Sequence, residues 1–319
     1  MKAALVHAYD QPPRFGEIDA PVAQAGEVLV STRAAALSQL VRAQASGKHY
    51  SSGKTLPMVP GADGVGTLAD GRRVYFAFPR APIGAMAETV AVKAEQCIEV
   101  PAAVDDVTAA AIANPGMSSW AALTHRARLQ RGESVLVLGA AGASGRLAIQ
   151  IAKHLGAGRV VATARNRALE AELRALGADA FVPLDQAADD LAAAFRAQIH
   201  APGVDVVLDY LWGAPAENFL NAAAGHGSGA AARRIRYVNI GSMAGASIPL
   251  AAGPLRSSGL ELMGSGLGSV SHADLVKVVG DLLRAVIPAQ LKVDAVAMPV
   301  REVETAWASK TAQRIVLTF

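Results

Sequence analysis

Val135-Leu136-Val137-Leu138 is an apolar run that breaks into Gly139-Ala140-Ala141-Gly142-Ala143-Ser144-Gly145. The run has the character of a buried strand. Ser144 to Leu155 follows, with Leu147, Ile151 and Leu155 at i, i+4 and i+8 on one helical face. A strand that enters a helix through such a turn can hold a pyrophosphate. Gly142 lacks a side chain where backbone would approach the phosphates. Gly145 lets the helix pack closely on the strand, and the free N–H groups of the helix start face the anion. The motif reads A-x-G-x-x-G, because Ala140 stands where the first glycine usually is and Gly139 sits beside it. A second strand, Arg159 to Thr163, completes the strand–helix–strand unit within about 30 residues, as dinucleotide binding requires. The alternative is a glycine turn in an α/β protein that binds no nucleotide.

The end of that second strand selects the dinucleotide. An NAD site places Asp or Glu about 20 residues beyond the glycines, on the ribose hydroxyls. Here the chain reads Ala162-Thr163-Ala164-Arg165-Asn166-Arg167, with no carboxylate before Glu170. A guanidinium pairs with a 2′-phosphate through a charged fork. The expected cofactor is therefore NADPH, with Arg165 or Arg167 as the phosphate ligand. The competing reading makes both arginines solvated residues at a helix start.

The elements around these residues fall into two textures. The first hundred residues carry short strand-like runs at 27–32, 74–77 and 89–92, punctuated by Pro57, Pro60-Gly61, Gly64, Gly66 and Gly71. They predict a small barrel-like β domain. Asp105 to Ile112 is alanine-rich and predicted helical. From Val135 onward, strands at 135–138, 159–163, 204–208, 235–240 and 260–263 alternate with helical stretches. Those include 168–176, with Gly177 in a cap position, and 273–286. This alternation predicts a parallel sheet with helices on both faces. The tail, Gln313 to Leu317, reads as a strand beyond the α/β block and is expected to return to the first domain.

Composition narrows the partners. The chain has 319 residues, which suggests two domains. With 52% hydrophobic and 18% charged residues it is not a disordered chain. A net charge of +3 gives no reason to expect nucleic acid. Arg233-Arg234 with Arg236, and Arg126, Arg128 and Arg131, lack interleaved aromatics and read as solvated surface. No clean apolar run of 18 residues predicts a membrane span, and residues 1–10 do not form a signal-peptide core. Cys97 is the single cysteine, which excludes an internal disulfide and a multi-cysteine zinc site, and suits a reducing, cytoplasmic location.

Taken together, these motifs resemble the medium-chain dehydrogenase/reductase superfamily, in its zinc-free quinone oxidoreductase (zeta-crystallin-like) branch. The resemblance runs through Ala34 to Gly66, with Leu56-Pro57-Met58-Val59-Pro60-Gly61-Ala62-Asp63-Gly64-Val65-Gly66. It continues through Pro115-Gly116-Met117-Ser118-Ser119-Trp120, the glycine turn, Gly177-Ala178-Asp179, and Tyr237-Val238-Asn239-Ile240-Gly241-Ser242. It implies an α/β fold with a central Rossmann domain at 113–286. A GroES-like β-barrel catalytic domain would be built from residues 1–112 and 287–319. It also implies a homodimer, with the strand Leu260 to Met263 and its neighbours able to extend a sheet across a two-fold axis. Zinc-dependent relatives carry a cysteine and a Gly-His-Glu motif where this chain has Ser38 and Gly61-Ala62-Asp63, so no metal is expected.

The resemblance also assigns roles. Ser118 occupies the position of a threonine close to the nicotinamide, and its hydroxyl could also donate to a substrate oxygen. Tyr50 matches a cleft tyrosine that could stack on a ring or donate a hydrogen bond, and Ser38 could hydrogen-bond substrate. Asn239, Gly241 and Ser242 lie at a strand end where nicotinamide or ribose would pass. His49 and Asp63 are expected to be a loop histidine and a turn carboxylate. The implied activity is NADPH-dependent hydride transfer, without metal, to a quinone or other activated carbonyl acceptor. An alkenal or enoyl reductase acting on an activated C=C bond, and a low-turnover NADPH-binding protein, remain alternatives.

Overall fold

The computed structural model describes residues 1–9, 11–48, 52, 55–225 and 232–319. Tyr50 and His49, two residues named above, lie outside them. The chain divides into two compact units, Met1–Asn114 with Ala273–Phe319, and Pro115–His272.

The first unit opens with an antiparallel pair, β1 (Lys2–Leu5) and β2 (Arg14–Glu17). The ten-residue β3 (Glu27–Ala36) alternates in burial from Leu29 to Ala34, the period expected of a strand with one face on a core. Its pairing shifts register between Thr32 and Ala34. Helix α1 (Gln39–Ala45) starts at Ser38, whose Oγ accepts the Val41 N–H at 3.1 Å. Then come β4 (Asp63–Leu68), β5 (Arg73–Ala77), β6 (Thr89–Lys93) and β7 (Cys97–Glu99). Gly66 permits the close β3–β4 approach, because a Cβ there would lie 2.3 Å from the Ser31 carbonyl oxygen. Helix α2 (Asp106–Ala121) runs well past the expected Ile112 and contains Pro115. Burial of Ala109 to Ala113, Trp120 and Ala121 carries the helix through it.

The second unit alternates strand and helix: β8 (Ser134–Leu138), α3 (Ala143–His154), β9 (Arg159–Ala164), α4 (Glu170–Ala175), β10 (Ala180–Pro183), α5 (Ala188–Gln198), β11 (Val206–Asp209), α6 (Gly213–Ala222), β12 (Arg234–Asn239), α7 (Ala252–Ser257) and β13 (Gly259–Gly264). All six strands are parallel, in the order β10-β9-β8-β11-β12-β13. Every residue of β8 is buried, as a central parallel strand requires. The strand order reverses between β8 and β11, and ligands bind at the carboxyl ends of strands at such a point. Phe195 and Phe219 meet edge to face at 5.3 Å, and Phe219 and Tyr237 lie 5.7 Å apart, in the core beneath the sheet. The arginine cluster expected on the surface is only partly so. Arg236 is 3% exposed, donates to Glu133 Oε1 at 2.5 Å and to the Ala127 carbonyl at 2.7 Å, and is a structural buried cation.

The chain then returns to the first unit through α8 (His272–Ala285), β14 (Ala295–Pro299), α9 (Val303–Ala308) and β15 (Arg314–Thr318). Residues 273–286, placed with the dinucleotide half in the sequence reading, fall in this unit. β6 pairs only with Glu27 to Ser31 of β3, and β15 takes the remaining edge, with Val316 opposite Ala36. The resulting sheet reads β14-β15-β3-β4-β5-β7, with β6 also on β3. Val30, Phe76, Met86, Val90, Val303 and Leu317 form its core.

Candidate functional site

The glycine turn has the geometry its sequence implies. Gly139 has φ +93° and is the residue that bends the chain. Its N–H reaches Thr163 Oγ1 at 3.2 Å, and the Ala140 N–H reaches the Thr163 carbonyl at 2.9 Å, so the end of β9 pins the turn. Ala140 fits in the first-glycine position because it is fully buried there and has no need of positive φ. A Cβ on Gly145 would lie 2.3 Å from the Gly139 oxygen and 2.6 Å from the Ala140 Cα, so helix and turn touch backbone to backbone. Gly142 is the N-cap of α3, has no side chain to cap the helix, and faces open space. The first turn of α3 holds no acidic residue, so its N–H groups and the positive end of its dipole remain available to an anion. Ala141 and Gly142 are exposed, while Ala143 and Ser144 are half-buried in the first turn.

The two arginines after β9 have different fates. Arg167 Nε donates to both carboxylate oxygens of Asp185, at 3.0 and 3.1 Å. Arg165 directly follows β9, is exposed, and makes no ion pair with a described residue. Asn166 between them caps the next turn, its Oδ1 accepting the Ala168 N–H at 3.0 Å. Arg165 is thus the cation with open valence at the strand end.

The ends of β11 and β12 are organised by Asp209, a residue that sequence reasoning missed. It is fully buried. Its Oδ1 accepts the N–H groups of Leu211 and Trp212 at 2.8 and 2.9 Å. Its Oδ2 accepts the Tyr237 hydroxyl at 2.9 Å and the Asn239 amide at 3.3 Å. Burial raises its pKa, and these hydrogen bonds, led by the Trp212 and Leu211 N–H groups, oppose the rise. The bond to Trp212 holds that residue at φ +53°, a region that non-glycine residues rarely occupy. Asn239 also donates to the Gly241 carbonyl at 2.9 Å, and Ser242 is exposed on the loop beyond. The available signal was an Asp closing an otherwise apolar strand.

Ser118, on α2, donates its hydroxyl proton to the Pro115 carbonyl at 2.7 Å. Its Oγ lies 3.4 Å from the hydroxyl of Tyr210, a second residue the sequence did not reveal. Burial pushes the Tyr210 phenol up to about 12, so it stays protonated.

In the first unit, Ser38 is buried and spends its oxygen on the α1 cap. Asp63 is no turn carboxylate. It begins β4, is 4% exposed, and accepts the Tyr75 hydroxyl at 3.1 Å. Burial raises it to about 6, against the opposing pull of the Arg314 charge and the Tyr75 bond. Arg314 Nε and Nη2 are buried without a hydrogen-bond partner. At the positions where a zinc enzyme would carry ligands, this chain offers a capping hydroxyl, the Ala62 methyl and a carboxylate committed to Tyr75, and these do not fit a zinc ion. Among the described residues, no group of three or more His, Cys, Asp and Glu side chains could hold a metal.

Residues 143–283 match the family model described as zinc-binding dehydrogenase. The chain is 28% identical to a probable NADPH-dependent quinone reductase of Emericella nidulans, over 96% of each chain. It is 33% identical to the chloroplastic NADPH-dependent alkenal/one oxidoreductase of Arabidopsis thaliana, over 50% of this chain and 45% of that one. The quinone oxidoreductase of Thermus thermophilus, solved also with NADPH, superposes with a TM-score of 0.80 at 27% identity, covering both chains fully. These likenesses run to NADPH-dependent quinone and alkenal/one reductases and, over the full chain, to a quinone oxidoreductase fold.

Proposed function

We propose, from these likenesses and from the geometry, that the chain is an NADPH-dependent reductase that delivers hydride to a quinone or similar activated carbonyl acceptor without a metal. The observation that carries the reading is the glycine turn with Arg165, which makes no ion pair with a described residue, one strand away and no carboxylate between them in the chain. The N–H groups at the start of α3, from Gly142 to Gly145, would hold the pyrophosphate. Arg165 would hold the 2′-phosphate, while Arg167 is already engaged by Asp185. Asn239, Gly241 and Ser242, on loops set by Asp209, would line the nicotinamide half. When bound, the nicotinamide supplies the hydride.

Removing a proton from a simple alcohol needs a Lewis acid. Acceptors that are already electrophilic need only orientation and hydrogen-bond donors to developing oxyanion charge. Ser38, whose oxygen accepts the Val41 N–H, would offer its own hydroxyl proton as one such donor. Tyr50 would contribute a ring or a hydroxyl to the substrate, and solvent would supply the proton. The likeness to the Arabidopsis alkenal/one oxidoreductase supports a second reading, in which the acceptor is an enone or enal reduced at C=C.

No described helix is long and apolar enough to cross a membrane. A cytoplasmic location is supported by the single cysteine. A homodimer is supported by β13, which ends its sheet and leaves Leu262 36% exposed. A monomeric mass by light scattering would remove that last element.

Initial rates test the activity. NADPH and NADH are each paired with a small quinone and with a medium-chain enal. Faster turnover with NADPH supports the reading, and the preferred acceptor chooses between quinone and enal. Tight NADPH binding with no turnover in any pair would refute the reductase and leave a binding protein.

A further inference from the structure

The geometry points to Tyr210 and Ser118 as a positioning pair that fixes the Ser118 hydroxyl as a hydrogen-bond acceptor for the nicotinamide half of the dinucleotide. This inference rests on the NADPH reading above and says what one corner of that site does. Tyr210 is the first residue after β11, the strand that adjoins β8 where the sheet order reverses. A Cβ on Gly139 would lie 3.4 Å from the Tyr210 Cβ, so the tyrosine starts beside the glycine turn. A dinucleotide lying across that reversal puts its pyrophosphate on the turn and one nucleoside over each half of the sheet. Arg165 marks β9 as the adenosine side. The nicotinamide side is then that of β11 and β12, where Tyr210 stands.

The direction of the hydrogen bonds follows from counting protons. A serine hydroxyl has one proton and two lone pairs. The Pro115 carbonyl can only accept, so at 2.7 Å it takes the Ser118 proton. With the Ser118 proton on Pro115, the phenol is the donor in the 3.4 Å contact; Ser119, whose own proton goes to the Gly116 carbonyl at 3.1 Å, also faces that phenol and shares its one proton. That spacing is long for an O–H···O bond and leaves room to tighten when the site fills. Tyr210 is 9% exposed and its phenol keeps its proton across the working pH range. With one lone pair of Ser118 facing Tyr210, the other remains, on a half-buried residue. It can accept from the carboxamide N–H or a ribose hydroxyl of the nicotinamide half. It cannot stabilise a substrate oxyanion, which needs a donor. Ser118 is thereby reassigned from substrate donor to cofactor acceptor, with Tyr210 acting through it.

The test measures dissociation constants for NADPH and for 2′,5′-ADP, which carries only the adenosine half, by fluorescence titration. Tyr210→Phe keeps the ring and removes the hydroxyl. It is expected to weaken NADPH about 3- to 10-fold, the worth of one neutral hydrogen bond, and to leave 2′,5′-ADP unchanged. Ser118→Ala, at a half-buried position, should show the same pattern, and Ser118→Thr should retain wild-type affinity. The double variant should lose no more than Ser118→Ala alone. Unchanged NADPH affinity in Tyr210→Phe, an equal loss for both ligands, or additive losses in the double variant would each overturn the inference. If the wild-type protein fails to bind NADPH, the function proposed above falls. If it binds and Tyr210→Phe matches it, only the pair is wrong.

Discussion

Each unit of the molecule buries one aspartate against a tyrosine hydroxyl, and the two aspartates are satisfied very differently. Asp209 at the end of β11 accepts from two backbone N–H groups, the Tyr237 hydroxyl and the Asn239 amide. Asp63 at the start of β4 accepts the Tyr75 hydroxyl at 3.1 Å, and nearby Arg314 carries two buried nitrogens without partners. The Arg314 charge pulls on Asp63 without forming an ion pair with it. A saturated carboxylate shapes backbone. An under-satisfied one stores a proton equilibrium. The first kind fixes the loops at a strand end, and the second makes its unit sensitive to pH.

The largest effect expected from this contrast is at Asp209. Asp209→Ala leaves four donors without their acceptor, each worth about 1–3 kcal/mol when buried and unpaired. The loss of unfolding free energy should be at least about 3 kcal/mol in a denaturant titration. A loss below about 1 kcal/mol would mean that the strand-end loops hold themselves.

A smaller effect, with a defined sign, is expected at Asp63. Its folded pKa of about 6 lies above the ordinary value of 3.8. The folded unit therefore holds the proton more tightly than the unfolded chain does. The resulting stability is fully present below about pH 4 and is lost as pH rises through about 6. Asp63→Asn keeps an acceptor for Tyr75 and removes the titration. The difference between wild type and Asp63→Asn should grow by about 1–3 kcal/mol between about pH 4 and 7, in favour of the variant. Parallel stability curves would contradict this.

The smallest effect sharpens the contrast. Tyr75→Phe removes the side-chain hydrogen bond that lowers Asp63, so its midpoint should move above about 6. Tyr237→Phe leaves Asp209 three donors and should move that carboxylate less. Carboxyl resonances followed by NMR titration would rank the two shifts, and the reverse ranking would break the comparison.

The second unit was the more legible of the two, for a physical reason. Parallel strands buried on both faces read as continuous apolar runs, and an amphipathic helix such as α3 reads by period. Val135 to Leu138 and Leu147 to Ile151 therefore located themselves, and Gly139 to Gly145 located the turn. In the first unit the strand at 27–32 was legible, but its extension to Ala36 was not, because that end is fixed by β15, at the far end of the chain. The Asp63–Tyr75–Arg314 and Asp209–Tyr237–Asn239 groupings were invisible for the same reason. Each joins side chains from separate strands, and no local spacing announces them. The division of labour between Arg165 and Arg167 also needed the fold, since Asp185 reaches Arg167 only through the return of β10 beside β9.

Recognition of a 2′-phosphate by Arg165 is tested most directly by the pair of dissociation constants for NADPH and NADH, measured in wild type, Arg165→Ala and Arg167→Ala. A charge-assisted fork is worth roughly 10- to 100-fold in affinity. Wild type and Arg167→Ala should prefer NADPH by about that factor, and Arg165→Ala should bind both cofactors within about 2-fold by the same reasoning. A preference for NADPH that survives in Arg165→Ala, or a wild type that binds the two equally, would contradict it.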